Sequence, residues 1–439
     1  MFFVLYSLLS ISESPLVTFM SAFFSGLAGL IICSKWIIGT KWGNKATVFI
    51  LLAYIVRIIV GLYMYLDINP NYFESDGDYV YDRWDYRWTY EFAIRVTDSV
   101  LNYHVFLPVN IPQMDEDKNA NIHSWMGYFL ASGNSHNALD LTPFNAYHHA
   151  IAGYFMIAIS LALRYSFHTA VLAGIAIAWI PWGFSASIMW RDSVGFAWVV
   201  LAIMLLIIAR DYNIIIKLLT LAVAMFLGYS DRKIYILIMF VCGVYLYTKS
   251  KISVSDVKNH NNRYFIVKVS IFLLLSVILF FFIYQKTSGQ GFYSELNIIQ
   301  RILTLPLLSI RGIAGPFPWV NKDMIFIGAH KDTMFDYAFH VFQLAIFLII
   351  GSRWKNISYK DDFLFLTAII FWLTGIIATG VHTAYVVVAM PFFLPIAFEL
   401  NKKFGLYIFT SLGLFIAFNA LYLFSELSGS RVLQGITGY

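Results

Sequence analysis

The amino-acid sequence predicts an all-α fold: a polytopic transmembrane helical bundle of about 12 spans (11–13). Three observations support this prediction. The 439 residues are 59% hydrophobic and only 13% charged. Apolar runs recur at about the 20-residue length that a bilayer crossing requires. The run over 265–284 is apolar on all sides of a helix, whereas the strands of a β-barrel alternate apolar and polar residues.

The predicted spans follow one another along the whole chain, which we treat as a single integral-membrane domain, 1–439. A short extra helix over residues 1–12, broken before Pro15, would raise the count by one and leaves the side of the N-terminus open. The predicted spans are 15–33, 46–66, 146–163, 169–189, 193–209, 213–229, 233–248, 264–284, 336–351, 362–380, 383–400 and 404–424.

Lysine and arginine in the connections predict the orientation, because positive charge favours the cytoplasmic side of a membrane. Basic residues collect in alternate connections, which we expect to be cytoplasmic: Lys35, Lys41, Lys45, Arg164, Arg210, Lys217, Lys249, Lys251, Lys258, Arg263, Lys268, Arg353, Lys355, Lys360, Lys402 and Lys403. The remaining connections would face outward. They are the segments 67–145 and 285–335 and the turns at 190–192, at 230–233 and around His382.

The two long outward segments are predicted to carry helices of their own. Segment 67–145 has aromatic and apolar residues throughout, so we expect a cap loop with interfacial helices. Segment 285–335 contains an apolar stretch with interspersed arginines, followed by a Gly-Pro-Phe-Pro-Trp break at 315–319. An amphipathic helix on the outer leaflet that ends at this break fits the pattern.

Composition and motifs argue against several classes of protein. The net charge of +5 is explained by cytoplasmic lysines, and no nucleic-acid-binding motif accompanies it. Cys33 and Cys242 lie in or beside apolar runs, so we expect packing residues and neither a disulfide framework nor a cysteine metal site. The sequence lacks HExxH, Walker, GxSxG and GxGxxG motifs in their required contexts, which leaves metalloproteases, nucleotide hydrolases and dinucleotide enzymes without support.

The segment 74–88 concentrates carboxylates and aromatic rings directly after the second span. Asp76 and Asp78 flank Gly77, where a tight turn forms easily. Either carboxylate could act as a general base toward a sugar hydroxyl or help to hold a divalent cation. A solvated acidic turn is the alternative. We expect no cofactor, and a divalent metal is an option that the sequence does not support.

Arginines at the outward ends of the spans predict a phosphate-binding patch. Arg191 and Asp192 interrupt apolar sequence between the fourth and fifth spans, and Arg232 recurs at the same predicted face. Arg301 and Arg311 lie in the second outward segment. Forked guanidinium groups suit the several oxygens of a pyrophosphate. Local pairing, or snorkelling to the interface, is the alternative for charges at span ends.

Histidine supplies a further candidate base. His382 lies at the outer start of the eleventh span, where a neutral imidazole could accept a proton near neutral pH. A satisfied interfacial histidine is the alternative, and His148, His149 and His330 are weaker candidates. Arg57 lies in the middle of the second span without an obvious partner.

The sequence around these residues resembles the bacterial integral-membrane polysaccharide polymerases, the Wzy or EpsG-like group that makes O-antigen, capsule or exopolysaccharide. It has a wider similarity to GT-C type glycosyltransferases. The order of the matching features covers most of the chain. These features are Ser75-Asp76-Gly77-Asp78-Tyr79 after an early span, Trp190-Arg191-Asp192-Ser193 at the start of a mid-chain span, and Arg301 and Arg311 before Pro316-Phe317-Pro318. The chain departs from the group at His382, where related proteins often carry an arginine.

The resemblance implies a multi-pass glycosyltransferase of the bacterial inner (plasma) membrane. It would join oligosaccharide repeat units carried on undecaprenyl pyrophosphate at the outer face, as in lipopolysaccharide biosynthesis. Its partners would be the polyprenyl-linked oligosaccharide, membrane lipid and a chain-length regulator protein, with no nucleic acid. The implied pyrophosphate-binding residues are Arg191, Arg232, Arg301 and Arg311, and the implied catalytic bases are Asp76, Asp78 or Asp192. His382 is a further catalytic candidate that comes from the residues and not from the resemblance.

Two other functions stay open on the sequence. A GT-C transferase that uses a polyprenyl-phosphate sugar donor would have nearly the same architecture. A flippase or transporter for lipid-linked oligosaccharides would also need arginines for the pyrophosphate. It should carry more basic residues deep within its spans, and Arg57 is the main candidate of that kind.

Overall fold

The structure of the chain is a computed structural model. It describes residues 2–10, 14–37, 39, 43–68, 84–104, 120–181, 192–249, 333–357, 361–379 and 386–401. Every regular element among these residues is helical, and no β-strand occurs among them. The all-α part of the predicted fold class is therefore confirmed.

The α-helices are numbered in chain order through the described residues. They are α1 Phe2–Leu9, α2 Pro15–Ile37, α3 Gly43–Ile68, α4 Trp84–Tyr103, α5 Ala120–Ser132, α6 Leu141–Ala162, α7 Phe167–Ala178, α8 Asp192–Ala209, α9 Ile214–Asp231, α10 Tyr235–Lys249, α11 Thr333–Ser352, α12 Asp362–Thr379 and α13 Met390–Leu400. Short 3₁₀ turns occur at Ala138–Asp140, Trp354–Asn356 and Val387–Ala389.

Four of the described helices are long and apolar enough to cross a membrane: α2, the Lys45–Leu62 part of α3, α8 and α9. Helix α9 exposes large apolar side chains such as Leu219 and Phe226, as is typical of a surface that faces hydrocarbon chains. The chain is therefore a membrane protein. The predicted spans 264–284 and 404–424 lie outside the described residues, and the count of about 12 spans stays a prediction.

Helix α7 is shorter than the sequence predicts. A span over 169–189 was expected, whereas α7 ends at Ala178 and the chain turns at 179–181. Pro181 gives a physical reason, because proline has no N–H donor and disfavours helical backbone at the residue before it. With 12 residues, α7 is about 18 Å long, which is less than the thickness of the hydrocarbon core of a bilayer.

The chain divides into two compact units, which we describe one at a time. The described residues of the first unit fall within Met1–Tyr154 and Gly174–Ala197. Those of the second unit fall within Phe155–Ala173 and Trp198–Gly405. Helices α6, α7 and α8 contribute residues to both units.

Small residues bring α2 close to its neighbours in the first unit. A Cβ atom at Gly26 would lie 2.2 Å from Oη of Tyr54 on α3, so the absence of a side chain makes room for the phenol. That phenol donates a hydrogen bond of 2.9 Å to the Phe23 carbonyl. Gly29 lies against the ring of Tyr147 in the same way. Close helix packing over small residues is common in membrane proteins.

Aromatic side chains join α1 to α5 and α6 in the interior of the first unit. Phe2 packs on Tyr147 with ring centroids 4.4 Å apart. Tyr6 stacks on Phe129 at 4.4 Å, and Phe129 contacts Phe144 at 4.6 Å. Because each such aromatic pair contributes about 0.5–1.5 kcal/mol beyond the area that it buries, this group of rings fixes α1 firmly.

Helices α4 and α5 pack closely within the segment that is predicted to be the outward cap. A Cβ atom at Gly127 of α5 would lie 2.5 Å from the Ala93 carbonyl oxygen of α4. The hydroxyl of Thr97 donates to the Gly127 carbonyl at 3.1 Å. Near the end of the pair, the side chains of His136 and Asp98 lie 2.8 Å apart. The segment therefore contains packed helices, while its outward position stays a prediction.

A buried carboxylate connects α1 and α2 to the turn that precedes α6. Asp140 is fully buried and accepts hydrogen bonds from Tyr6 Oη at 2.5 Å, Ser135 Oγ at 2.6 Å, Asn137 Nδ2 at 2.9 Å and Thr18 Oγ1 at 3.3 Å. Four donors offset part of the cost of removing the carboxyl group from water. We call these five residues the Asp140 cluster.

The second unit contains a tight helix pair and two polar connections. Gly228 of α9 lies against the start of α10. Tyr165 Oη, just before α7, donates to Asp361, just before α12, at 2.5 Å. Thr169 Oγ1 of α7 donates to Glu399 of α13 at 2.8 Å. Each connection joins segments that are far apart in sequence.

The Asp140 cluster makes the stability of the protein depend on pH. Burial raises the pKa of Asp140 to about 7, against the opposing effect of its hydrogen bonds. A folded state that binds a proton more tightly than the unfolded state loses stability as the pH rises. The contribution of Asp140 is therefore fully present below the ordinary aspartate pKa and is lost as the pH rises through about 7.

We expect the unfolding temperature of the purified protein to fall between pH 5 and pH 8.5, and this fall to be smaller in Asp140→Asn. A loss of about 1 kcal/mol lowers the unfolding midpoint by roughly 1 °C in a chain of this length. Thermal unfolding in detergent at a series of pH values measures it. Asp211→Asn is the control because Asp211 is exposed and pairs with Arg210, which keeps its charge over this range, and it should keep the wild-type slope. An equal slope in Asp140→Asn would contradict the assignment.

Gly26→Ala should destabilise the contact between α2 and α3. The new methyl group would displace the buried Tyr54 phenol from the Phe23 carbonyl, and overpacking of this kind costs about 1–3 kcal/mol. Thermal unfolding in detergent measures the loss. Gly351→Ala in α11 is the matched control, because no heavy atom lies within 4 Å of its Cβ position, and it should be neutral or slightly stabilising. Equal midpoints for both variants would contradict the close packing.

Candidate functional site

The structure describes two of the predicted site residues, Asp192 and Arg232. Asp192 belongs to the first unit and Arg232 to the second. The other predicted site residues lie outside the described part of the chain: Asp76, Asp78, Arg191, Arg301, Arg311 and His382.

Asp192 is the first residue of α8, a helix long and apolar enough to cross a membrane. The first backbone N–H groups of a helix have no partners within the helix, and they carry a partial positive charge. An aspartate at this position is stabilised by that charge, which explains why the helix begins here. Asp192 is half-buried, and Ser193 beside it is fully buried. The carboxylate is therefore placed at a helix end and remains partly accessible.

His149 contacts α8 one turn beyond Asp192. Its ring stacks on that of Phe196, with centroids 4.6 Å apart and planes inclined by only 4°. Both residues are fully buried. His149 lies on α6, so this stack fixes the first turns of α8 against α6 within the first unit.

Arg57 binds the end of α7 from the middle of a membrane-spanning stretch of α3. It is fully buried, and its guanidinium donates to the Ala178 carbonyl from Nε at 3.0 Å and from Nη2 at 2.6 Å. Nη2 also donates to the Ile180 carbonyl at 3.2 Å. The last carbonyls of a helix lack partners within it and carry partial negative charge, so a cation is favoured there.

Arg57 has no obvious partner in the sequence because its partners are backbone carbonyls, which no side-chain pattern reveals. These carbonyls are accessible only because α7 ends at Ala178. The indole of Trp179 donates to the Phe49 carbonyl of α3 at 2.9 Å. The end of α7 is thus fastened to α3 by two side chains.

His148 is unsuited to the role of general base. Its Nε2 accepts a hydrogen bond from the Trp125 indole at 3.2 Å. Its Nδ1 therefore carries the proton and donates to the Phe144 carbonyl at 2.8 Å. Both ring nitrogens of this buried residue are occupied by the protein, and we assign His148 a structural role.

Arg232 follows the last residue of α9 and lies beside a second carboxylate. Its backbone N–H donates to the Gly228 carbonyl at 3.0 Å. Its Nε lies 4.0 Å from Asp231 Oδ1, at the long end of an ion pair, and Asp231 is almost fully buried. Asp231 was not among the residues chosen from the sequence, although its position next to Arg232 is visible there.

The described residues offer carboxylate and guanidinium chemistry at the ends of two membrane helices. Asp192 could accept a proton from a hydroxyl, and Arg232 could bind an anionic oxygen. Within the described part of the chain, no group of three or more His, Cys, Asp or Glu residues is arranged to hold a metal ion.

His149 was a weak candidate on the sequence. Its ring stacks on Phe196, one turn along α8 from Asp192, which indicates a supporting position.

Arg57→Leu should destabilise the protein, because it leaves the Ala178 and Ile180 carbonyls without the guanidinium. Each buried group that loses its partner costs about 1–3 kcal/mol. Arg57→Lys should recover only part of the loss, since an ammonium group cannot reproduce the planar fork. Thermal unfolding of the purified variants in detergent measures both effects. An Arg57→Leu protein as stable as the wild type would contradict the helix-end role.

Comparison of the chain with protein-family models, with curated proteins and with solved structures gives no match. The similarity to membrane polysaccharide polymerases therefore stays a prediction from short motifs. Function has to be inferred from the chemistry of Asp192, Arg232 and their surroundings, together with the sequence.

Proposed function

We propose that this chain is a membrane glycosyltransferase that polymerises oligosaccharide repeat units linked to undecaprenyl pyrophosphate. The observation that carries the proposal is Asp192, a half-buried carboxylate at the N-terminus of a membrane-spanning helix, directly after Arg191. A base and a cation adjacent in sequence at one end of a span suit a reaction that deprotonates an alcohol and releases a pyrophosphate.

The reaction assigns a role to each charge. An acceptor sugar hydroxyl attacks the anomeric carbon of the donor, a new C–O bond forms, and the bond to the pyrophosphate oxygen breaks. The hydroxyl proton passes to a carboxylate, for which Asp192, Asp76 and Asp78 are the candidates, or to His382. The leaving pyrophosphate gains negative charge, which guanidinium groups stabilise with paired hydrogen bonds.

The end of α9 supports the same chemistry. Arg232 follows the end of α9, with its Nε 4.0 Å from Asp231 Oδ1. A guanidinium at this helix end is suited to stabilise the charge that develops on a leaving pyrophosphate. Together with Arg191, Arg301 and Arg311, it provides the arginines that the proposed pyrophosphate site requires.

The proposal includes a location and partners. The chain would cross the bacterial inner membrane about 12 times, with segments 67–145 and 285–335 facing outward, as loop charge predicts. The acidic and aromatic residues of 74–88 would contact the acceptor glycan, since aromatic faces and carboxylates suit sugar rings and hydroxyls. The lipid-linked oligosaccharide is the substrate, and a chain-length regulator protein would act with the enzyme.

Two alternatives make different predictions. A GT-C transferase that uses a polyprenyl-phosphate sugar would add a single sugar and would leave polymer length unaffected. A flippase would need cations deep in the bundle, but Arg57 already binds the carbonyls of Ala178 and Ile180. Because the Arg57 guanidinium is hydrogen-bonded to backbone carbonyls, it no longer supports the flippase alternative in the way that the sequence suggested.

A deletion strain separates the three functions. Loss of a polymerase should leave surface glycan with single repeat units, whereas loss of a transferase should remove one sugar and loss of a flippase should trap lipid-linked repeat units in the cytoplasmic leaflet. Complementation with Arg191→Ala, Arg301→Ala or Asp192→Asn should reduce polymer to background, while the protein remains in the membrane. Gel electrophoresis of the surface polysaccharide measures chain length.

Arg210→Ala is the matched control for these variants. Arg210 lies in the turn between α8 and α9 and pairs with the adjacent, exposed Asp211 at 3.1 Å, on the side predicted to be cytoplasmic. It should support normal polymer. Normal polymer from both Arg191→Ala and Arg301→Ala would overturn the pyrophosphate site, and trapped repeat units in the cytoplasmic leaflet would favour the flippase.

A further inference from the structure

We infer that His149 is a positioning residue for Asp192, acting through Phe196. The inference rests on the proposed function for its effect on turnover, but its structural part stands on the described residues of the first unit. His149, Phe196 and Asp192 all belong to that unit.

The helical repeat links Phe196 to Asp192. Residues four apart lie one above the other on the same side of an α-helix, so Phe196 is on the side of α8 that also carries Asp192. Any rotation of the start of α8 about its axis moves both side chains together. A contact that holds the Phe196 ring in place therefore also sets the direction of Asp192.

The contact between His149 and Phe196 is suited to restrict rotation. The rings are nearly parallel, at 4° and 4.6 Å between centroids, and both residues are fully buried. Rotation of the helix about its axis would disrupt a flat stack of two rings, whereas a contact between aliphatic side chains would tolerate the same rotation. Since interiors are close-packed, neither ring can move without displacing its neighbours.

Arg57 supports the same unit at a different place, because it fixes the carbonyls of Ala178 and Ile180 at the end of α7. The stack of His149 on Phe196 contacts the first turns of α8 itself. It is therefore the contact through which we expect the direction of Asp192 to be set.

The effect on the reaction should appear in turnover and not in substrate affinity. A misdirected base lowers the rate of the chemical step, whereas the pyrophosphate contacts that hold the donor are made by arginines. A displacement of about 1 Å can cost on the order of 100-fold in rate. We expect His149→Leu to lower kcat at least about tenfold with KM nearly unchanged.

The first test does not depend on catalysis. Full-length protein in nanodiscs carries the substitution Asp192→Cys, and the new cysteine is labelled with a trifluoromethyl reagent and observed by fluorine NMR. A reference sample carries the label at Tyr229→Cys instead, because Tyr229 is exposed. His149→Leu should split or broaden the signal at position 192 and leave the signal at position 229 unchanged. His149→Phe, which can still stack, should restore the single signal.

His148→Leu is the matched control, because the ring of His148 makes its hydrogen bonds to Trp125 and Phe144, whereas the stack on Phe196 is made by His149. It should leave the signal at position 192 unchanged. An unchanged signal in His149→Leu, or an equal change in His148→Leu, would overturn the positioning role.

The second test measures polymerisation of purified lipid-linked repeat units by the unlabelled variants. A lowered kcat in His149→Leu, with recovery in His149→Phe, supports the inference, while a loss that appears in KM alone overturns it. If Asp192→Asn keeps wild-type turnover, Asp192 has no part in the reaction and the proposed function loses its base. The fluorine spectra still decide whether His149 positions α8, so the two failures are distinguishable.

Discussion

The hydrogen bonds from Arg57 to the carbonyls of Ala178 and Ile180 solve two problems that the membrane poses at once. An unpaired guanidinium and an unpaired helix end would each be costly in a region without water. When the guanidinium and the helix end pair with each other, α7 can end after 12 residues and the cation can remain in the interior. The neighbouring Trp179 indole strengthens the same connection to α3. The early end of α7 is also what makes these carbonyls available to a side chain of α3.

The described polar residues fall into two groups with different chemistry. Arg57, His148 and Asp140 are fully or nearly fully buried and are occupied by protein donors or acceptors, which makes them structural. Asp192 and Arg232 lie at the ends of membrane-spanning helices and are less buried, which makes them candidates for contact with a substrate. This division matters in a membrane protein, where every ionisable residue within a span is a candidate for function until its partners are known. Burial and position at a helix end, and not residue type, separate the two groups here.

Helix positions were largely predictable, because a run of apolar residues in a membrane has few alternatives to a helix. The end of α7 was not predictable, since the apolar sequence continues past Ala178 and only Pro181 marks the end of the helix. Asp192 and Arg232 could be chosen from the sequence because their charge interrupts apolar runs. The Asp140 cluster could not be predicted from the sequence, because Tyr6 is separated from Asp140 by 134 positions. His149 was visible only as one of two adjacent histidines, and the stack that distinguishes it from His148 is a property of the folded chain.

That separation between Tyr6 and Asp140 also has a consequence for biogenesis. Helix α1 leaves the ribosome before α5 and α6. The Asp140 carboxylate and most of the rings that pack on α1 are therefore made more than a hundred residues after it. At about 5–20 residues per second, α1 waits on the order of ten seconds or more with Phe2 and Tyr6 unburied. During this interval its aromatic side chains have to be sheltered by lipid or by the insertion machinery. The Asp140 cluster can therefore form only after the chain has been synthesised as far as Asp140.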